Sequence, residues 1–256
     1  HGINHKNALV KNTITLNDAK SDIVQKLIIE GKLYAQSLTS AFVSNLLDAQ
    51  PGENILDLCA APGSKTSHIA QMMNNQGKIV AVEKVKGRMY KLISVLKLLG
   101  VINAKTICAD GRKYCLKPED DFFDRVLVDA PCSSEGRFDP ANKKTYAYWS
   151  VRKIKEMAHK QKGLLLNASR CLRPGGALIY STCTFAPEEN EQVINWFLRK
   201  TQGKFELKDV DVLDFSRYPT LEQWNKKEFS KDVRKCVRIL PGPGRDGFFI
   251  AKFLKQ

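Results

Sequence analysis

Short apolar runs alternate with longer amphipathic segments along most of this chain, from about residue 54 onward. The short runs are rich in Val, Ile and Leu, as strands are, whereas the longer segments repeat apolar residues at helical spacing. This alternation predicts a parallel, doubly wound sheet, because parallel neighbours need a crossover connection. The predicted parallel strands are residues 54–56, 78–82, 104–108, 124–128 and 177–181.

The predicted helices cover residues 37–47, 67–73, 86–99, 151–171 and 187–199. Two further strands, near residues 205–212 and 248–254, flank an irregular basic segment. Residues 1–35 are polar and rich in Lys and Asn around one apolar patch. We expect them to form a partly helical N-terminal extension that lines a binding groove, ahead of a main domain over residues 36–256.

Residues suited to chemistry or recognition follow each of the five predicted parallel strands. In doubly wound sheets, ligands bind beyond the carboxyl ends of the strands. One acidic residue at such a position is commonly a solvated cap, but five consecutive strand ends of this kind indicate a binding edge. These residues are Asp57 with Cys59, Glu83, Asp110, Asp129 and Cys183.

The turn after the first strand, residues 57–66 (DLCAAPGSKT), joins a strand to a helix through small residues. Small residues let the backbone approach a ligand closely, and the first turn of a helix presents free N–H groups. The segment therefore predicts the floor of a site for a nucleotide-like or carboxylate-bearing cofactor. The alternative is an ordinary strand-to-helix connection.

Two acidic residues narrow the class of cofactor. Glu83 lies 20 residues beyond Gly63, the spacing of a side chain that binds the two hydroxyls of a ribose. Asp110, after the next strand, is placed to bind an adenine amino group; either residue is alternatively a surface carboxylate. The turn lacks the G-x-G-x-x-G pattern, which disfavours dinucleotide cofactors. A single adenosine with a short charged tail fits the turn better, so the sequence predicts S-adenosylmethionine as the cofactor.

The charge of the chain predicts its partner. It carries 41 Lys and Arg against 27 Asp and Glu, a net charge of +14 with a pI near 9.4. This excess indicates a polyanion, most simply nucleic acid, with an anionic membrane surface as the weaker alternative. No stretch reaches the roughly 18 to 20 apolar residues that cross a bilayer. Basic and aromatic residues interleave over residues 137–155, as suits phosphates and unpaired bases.

Seven cysteines without a Cys-x-x-Cys pair argue against a disulfide framework or a zinc ribbon. They favour a reducing compartment, and with no signal peptide evident we expect a cytoplasmic protein without a metal site. Cys132 and Cys183 differ from the others because they follow adjacent strands beside Asp129. Four cysteines are interpreted as packing residues, namely Cys108, Cys115, Cys171 and Cys236.

Two thiols beside a carboxylate suit one particular reaction. Carbon 5 of cytosine is a poor nucleophile towards a sulfonium methyl group, but a thiolate that adds to carbon 6 makes carbon 5 nucleophilic. A carboxyl group at the N3 edge of the ring stabilises that adduct. After methyl transfer the carbon-5 proton must leave so that the thiol can depart, and a second cysteine can assist this step. The target base must be flipped out or unpaired to be reached.

Three segments of the sequence carry a family resemblance: residues 57–66, residues 129–133 (DAPCS), and residues 181–184 (STCT) with the EEN of 188–190. In this order they resemble the signature motifs of the Sun family of RNA cytosine-5 methyltransferases, over about residues 30–256. Shorter matches are Tyr34, Gln36 and Ser40, residues 173–176 (RPGG), residues 238–241 (RILP) and residues 246–249 (DGFF).

The resemblance implies an α/β, Rossmann-like class I methyltransferase fold. Its sheet is seven-stranded and mostly parallel, with helices on both faces and an antiparallel last strand. The resemblance also implies that Cys183 is the nucleophile, that Cys132 helps release the product, that Asp129 contacts the cytosine and that Lys65 lies near the reacting centre. The implied S-adenosylmethionine residues are Cys59, Ala60, Ala61, Pro62, Gly63, Ser64, Lys65, Glu83, Arg88, Asp110 and Asp129.

Ser64 and Ser134 stand where the family commonly has glycine. Both are small, so we expect slight backbone adjustment. The closing segments look most like the bacterial small-subunit rRNA enzymes, which favours rRNA as substrate with tRNA as the alternative, and we expect a monomer.

Two rival functions remain open at this level. A DNA cytosine-5 methyltransferase also uses a Pro-Cys loop, but there the loop cysteine is the nucleophile and nothing corresponds to Cys183. The second rival is a non-catalytic RNA-binding or ribosome-assembly protein. Both thiols, Lys65 and Asp129 argue against that rival.

Overall fold

A computed structural model describes residues 5–16, 18–116 and 123–256 of the chain. The α-helices of this described part are α1 (Asp22–Ile29), α2 (Leu38–Leu47), α3 (Ser64–Met72), α4 (Lys86–Leu98), α5 (Val151–Cys171) and α6 (Glu191–Thr201). Its strands are β1 (His5–Asn7), β2 (Ile14–Leu16), β3 (Asn54–Asp57), β4 (Lys78–Glu83), β5 (Ala104–Cys108), β6 (Phe123–Asp129), β7 (Leu172–Thr182), β8 (Phe205–Lys208), β9 (Arg217–Tyr218), β10 (Gln223–Trp224), β11 (Lys227–Glu228), β12 (Val237–Ile239) and β13 (Phe248–Lys255).

The central sheet confirms the predicted α/β class. Its strands run in the order β5-β4-β3-β6-β7-β13-β12-β9. The first five are parallel, and β13 pairs antiparallel to β7. The chain order reverses between β3 and β6, which makes their carboxyl ends the switch point where ligands bind in such sheets.

The sheet is wider than the seven strands expected, because two short strands come from the segment predicted to be irregular. The first half of β13 pairs with β12, whereas its second half pairs with β8. β12 in turn pairs with β9. The described part of the sheet therefore holds nine strands. The antiparallel last strand, β13, pairs with β7, β8 and β12 and so does not lie at the edge of the sheet.

Helices cover both faces of the sheet, as predicted. Along β6, Val126 and Val128 pack on the face covered by α5 and α6, while Leu127 packs on the face covered by α2 and α3. All three side chains are fully buried. Strands buried on both faces read as continuous apolar runs, which is why the sequence pattern identified them.

The strand β7 begins earlier than the predicted residue 177. Phe123 pairs with Leu172 and Arg125 pairs with Ala177, so residues 173–176 bulge out between two paired positions. A turn-forming RPGG segment thus interrupts the pairing without ending the strand.

The N-terminal extension contains a hairpin, β1–β2, in addition to the predicted helix α1. Val10, Val24 and Leu27 are buried, and Asn45 of α2 donates a hydrogen bond to the carbonyl oxygen of Lys11 (3.3 Å). The extension therefore packs on the main domain; that it contacts a ligand stays a prediction.

The structure corrects the interpretation of two cysteines. Cys115 and Cys171, taken from the sequence as packing residues, are joined as a disulfide with their Cα atoms 5.6 Å apart. The short 3-10 helix Tyr114–Leu116 packs against α5, a contact that a separation of 56 residues does not reveal. Within the described residues, no helix is both long and apolar enough to span a bilayer.

Candidate active site

A cavity of about 620 Å³ opens at the carboxyl ends of the parallel strands. The four predicted catalytic residues, Lys65, Asp129, Cys132 and Cys183, all line it. So do the predicted cofactor residues Cys59, Ala61, Pro62, Ser64, Glu83, Arg88 and Asp110. The five strand ends therefore meet at one site, as the sequence predicts.

Two predicted cofactor residues support the cavity without lining it. Ala60 is buried and donates its N–H to the carbonyl oxygen of Val82 (3.0 Å). Gly63 has φ +112°, a left-handed conformation that favours glycine, and any Cβ there would lie 3.1 Å from a methyl carbon of Leu92. The tight turn therefore places the N-terminus of α3, beginning at Ser64, at the cavity wall.

Asp57 lies behind the turn instead of facing the cavity. It is 1% exposed, accepts a hydrogen bond from the Thr66 hydroxyl (2.8 Å) and accepts a longer one from the Cys59 N–H (3.3 Å). Burial raises the pKa of Asp57 to about 6. Its carboxylate holds the turn to α3, so its role is to shape the site.

Glu83 and Arg88 form the wall next to the turn. Glu83 is buried and accepts the N–H of Val85 (2.8 Å), and Arg88 lies 3.4 Å from it. Arg88 also donates to the carbonyl oxygen of Ala61 (2.7 Å). The second carboxylate oxygen of Glu83 thus stands beside a cation at the edge of the cavity.

Asp110 is held by cations that the sequence did not identify. Arg112 chelates its carboxylate, with Nε 3.0 Å from one oxygen, and Lys84 lies 3.0 Å from the other. The Arg112 hydrogen bonds hold the pKa of Asp110 well below its usual range. Asp110 therefore presents a fixed, ionised acceptor to the cavity.

Lys65 is the buried cation at the centre of the site. Its ammonium group donates to Asp129 (2.7 Å) and to the hydroxyl of Ser40 (2.8 Å), and it lies 5.3 Å from the centre of the Phe248 ring. Asp129 accepts a second hydrogen bond from Ser181 (2.7 Å). The two charges are thereby fixed at the switch point.

The thiols of Cys132 and Cys183 lie 3.3 Å apart at the base of the cavity. Their hydrogen bond lowers the pKa of Cys183 and raises that of Cys132. Either thiol could donate this hydrogen bond, and the opposite shifts make Cys183 the more acidic thiol of the pair. The Ser134 hydroxyl lies 3.5 Å from the Cys183 sulfur and 3.8 Å from that of Cys132.

Several other residues reach this cavity without having been predicted as catalytic or cofactor-binding residues. Gln36 donates to Ser40 (3.0 Å), and Arg137 lies 3.5 Å from Asp246 beside Cys183. Phe248 forms part of the wall. Most of these residues belong to the shorter segments that match the family, but their sequence context did not indicate which contacts they make.

The basic and aromatic segment, residues 137–155, directly follows the loop after β6 that carries Cys132. Tyr148 is 91% exposed, and Trp149 donates its indole N–H to Glu135 (2.7 Å). Phe138 and Tyr146 pack on each other instead, with ring centres 5.7 Å apart. Two of the four aromatics thus remain available for stacking.

Comparisons with known proteins agree on one family. A family model described as "16S rRNA methyltransferase RsmB/F" matches residues 44–254. The chain is 40% identical over 226 residues to the tRNA (cytosine(49)-C(5))-methyltransferase of Pyrococcus abyssi, covering 88% of this chain and 71% of that relative. It is also 40% identical over 242 residues to ribosomal RNA small subunit methyltransferase F of Pectobacterium atrosepticum, covering 88% of this chain and 49% of that relative.

A solved structure shares the fold across the whole chain. It is a methyltransferase homologue from Pyrococcus horikoshii, with a TM-score of 0.83 at 32% identity, covering 100% of this chain and 79% of that one. Several longer relatives match over only about half of their length.

Proposed function

The chain belongs to the RsmB/F, or Sun, family of S-adenosylmethionine-dependent RNA cytosine-C5 methyltransferases, and on that premise we propose that it methylates cytosine through a covalent adduct on Cys183. The observation that supports this most directly is the pair of thiols 3.3 Å apart beside the Lys65–Asp129 ion pair. A non-catalytic protein has no need for a thiol of lowered pKa next to a fixed pair of charges.

The residues present fit the cofactor. Glu83 would accept the ribose hydroxyls, Asp110 the adenine amino group, and the N-terminus of α3 would face the carboxylate of the methionine moiety. When bound, S-adenosylmethionine supplies an electrophilic methyl group. The backbone from Cys59 to Lys65 would hold it with that group towards the thiols.

The proposed reaction begins at Cys183. Its thiolate forms a bond to carbon 6 of the cytosine, while Asp129 holds the N3 edge and Lys65 fixes Asp129. Carbon 5, now nucleophilic, would form a bond to the methyl carbon, while the electron pair of the broken sulfonium S–CH3 bond would stay on the cofactor's sulfur.

Release requires two bonds to break. Water takes the carbon-5 proton, the electron pair of that C–H bond restores the C5–C6 double bond, and the C6–S pair returns to Cys183. The thiol of Cys132, 3.3 Å away, then donates a hydrogen bond to the departing thiolate. Cys132 thus stabilises the leaving group.

For the substrate we propose ribosomal RNA, supported by the description of the matching family model and by the relative from Pectobacterium. Transfer RNA is the second candidate, because the Pyrococcus abyssi relative, which the chain matches over 71% of its length, is a tRNA methyltransferase. We further propose that the chain acts as a monomer and that residues 1–35 contact RNA beside the domain of residues 36–256. Tritiated methyl transfer to separated rRNA and tRNA distinguishes the substrates.

The assignment of the two thiols predicts opposite phenotypes. Cys183→Ala abolishes methyl transfer because no adduct forms. Cys132→Ala forms the adduct but releases it slowly, so an SDS-resistant RNA–protein complex accumulates. Gel electrophoresis after incubation with S-adenosylmethionine and labelled RNA measures both effects, with Cys236→Ala, a buried cysteine away from the cavity, as control. A trapped complex in Cys183→Ala would reverse the two roles.

A further inference from the structure

A fully buried carboxylate, Glu189, lies behind the two cysteine loops without touching the cavity. It accepts hydrogen bonds from the backbone N–H of Ser133 (3.2 Å) and from the Ser133 hydroxyl. Ser133 directly follows Cys132. Glu189 itself belongs to the loop that follows Cys183, so one side chain joins the two thiol-bearing segments.

A contact between hydroxyls strengthens this junction. Ser133 Oγ and Thr184 Oγ1 lie 2.7 Å apart, and these residues immediately follow the two cysteines. Thr184 also donates to Glu135 (3.0 Å), which accepts the N–H of Phe185 as well (3.1 Å). The backbones beside both sulfurs are therefore tied to each other and to carboxylates on either side.

Elements of the central sheet and helices hold Glu189 in place. Gln161 of α5 donates to Glu189 (2.7 Å) and to the carbonyl oxygen of Pro131 (2.9 Å), so it joins Glu189 to the residue that precedes Cys132. The Tyr180 hydroxyl of β7 donates to the carbonyl oxygen of Glu189 (2.6 Å). This frame leaves the carboxylate little freedom to move.

We propose that Glu189 is a positioning residue that, through Ser133, keeps the Cys132 thiol at hydrogen-bonding distance from the Cys183 sulfur during release of the methylated base. This inference rests on the proposed function and concerns its last step. Glu189 does not line the cavity where substrate and cofactor would bind.

The position is costly in stability, which favours a geometric role. Burial raises the pKa of Glu189 to about 7, since desolvation opposes the charged form. An apolar side chain would pack there without that penalty. It would not, however, accept the N–H and the hydroxyl of Ser133, and the loop would lose the contacts that set the position of its sulfur.

The test is Glu189→Gln, which keeps the size of the side chain but replaces one acceptor oxygen by a donor. We expect multiple-turnover methylation to fall on the order of 10- to 100-fold, with formation of the adduct in a first turnover preserved. An SDS-resistant complex through Cys183 should therefore accumulate, as in Cys132→Ala. A purely structural role would instead lower adduct formation and turnover together.

The matched control is Glu188→Gln. Glu188 is the neighbouring carboxylate and accepts from the indole N–H of Trp224 (2.9 Å) rather than from a cysteine loop. It should turn over like the unaltered protein and leave no adduct. Ser133→Ala keeps the N–H contact and loses the hydroxyl contacts, so it should show the same accumulation to a smaller extent. It also serves as the test if Glu189→Gln does not fold, as judged by its unfolding midpoint.

Two results would overturn the inference. One is a folded Glu189→Gln protein with unchanged turnover; the other is a loss of turnover without any adduct. Both leave the proposed function intact if Cys132→Ala still traps a complex and the unaltered protein still methylates RNA. A lack of methyl transfer by the unaltered protein would instead remove the proposed function itself.

Discussion

The ion pair between Lys65 and Asp129 at the switch point is largely shielded from water. The side chain of Lys65 is 8% exposed and that of Asp129 is 29% exposed, and their charged atoms lie 2.7 Å apart. Removing one partner of a buried ion pair lowers the stability of the protein strongly, because the remaining charge stays buried without a counter-charge. Replacing the whole pair by apolar side chains changes the stability much less. The more deeply buried partner should therefore be the more sensitive to loss of its counter-charge.

We predict that Asp129→Asn lowers the free energy of unfolding by about 1 to 3 kcal/mol, because it leaves the Lys65 ammonium buried without a carboxylate. Lys65→Met should cost less than about 1 kcal/mol, since Asp129 keeps Ser181 and partial access to water while the methionine fills the space of the stem. Urea unfolding of both variants and of the double variant measures this. Equal losses for the two single variants would contradict the assignment. Both variants should lose most methyl transfer.

At the scale of elements, three loops converge on Gly136. Its N–H donates to the carbonyl oxygen of Cys183 (2.9 Å), and its own carbonyl oxygen accepts from Gly247 (2.8 Å). The loop after β6, the loop after β7 and the approach to β13 are thereby joined at a point where two glycine backbones touch. This packing sets how deeply Cys132, Cys183 and Phe248 enter the cavity.

We predict that Gly136→Ala destabilises the protein by about 1 to 3 kcal/mol, because an added Cβ would clash with the backbone of Gly247. Adduct formation should fall with it, since the displaced loop carries Cys132. Gly87→Ala is the control: Gly87 lies in α4, and nothing lies within 4 Å of the Cβ it would gain. That variant should be as stable as the original or up to about 1 kcal/mol more stable. A tolerated Gly136→Ala would show that the loops adjust independently.

At the scale of the whole molecule, the net charge of +14 suits a polyanion. What matters for RNA is where the basic residues stand relative to the cavity. Lys143 and Lys144 are exposed on the segment that follows the Cys132 loop, whereas Lys200 and Lys204 lie where α6 ends and β8 begins. The latter pair lies near the amino ends of the parallel strands, because β13 runs antiparallel to β7 and Gln256, which directly follows β13, donates its N–H to the carbonyl oxygen of Lys204 (3.0 Å).

We predict that replacing Lys143 and Lys144 by Gln weakens RNA binding and reduces the slope of log affinity against log salt concentration by about 0.7 to 1.4, as expected for one or two phosphate contacts on single strands. The same change at Lys200 and Lys204 should leave the slope unchanged. Fluorescence anisotropy with labelled RNA at several salt concentrations measures both. Similar slopes for the two double variants would mean that RNA does not approach over the segment that follows the Cys132 loop.

The sequence by itself determined the parallel strands, the binding edge and the pair of thiols. Local apolar periodicity specifies strands and helices, and right-handed crossovers bring the carboxyl ends of the strands together. The sequence alone therefore predicts that Asp129, Cys132 and Cys183 lie at one edge of the sheet. The family resemblance then supplied the chemistry for that edge.

Only the tertiary structure decided which distant segments complete the site. Ser40 and Phe248 contact Lys65 from opposite ends of the chain. Arg112 donates hydrogen bonds to Asp110. Glu189 accepts a hydrogen bond from the backbone of the Cys132 loop. The pairing of β12 with β13 and the Cys115–Cys171 contact likewise depend on the tertiary structure. Such contacts depend on the packing of whole elements against each other. Hydrophobic periodicity records which face of an element is buried, but not which polar side chains meet once it is buried.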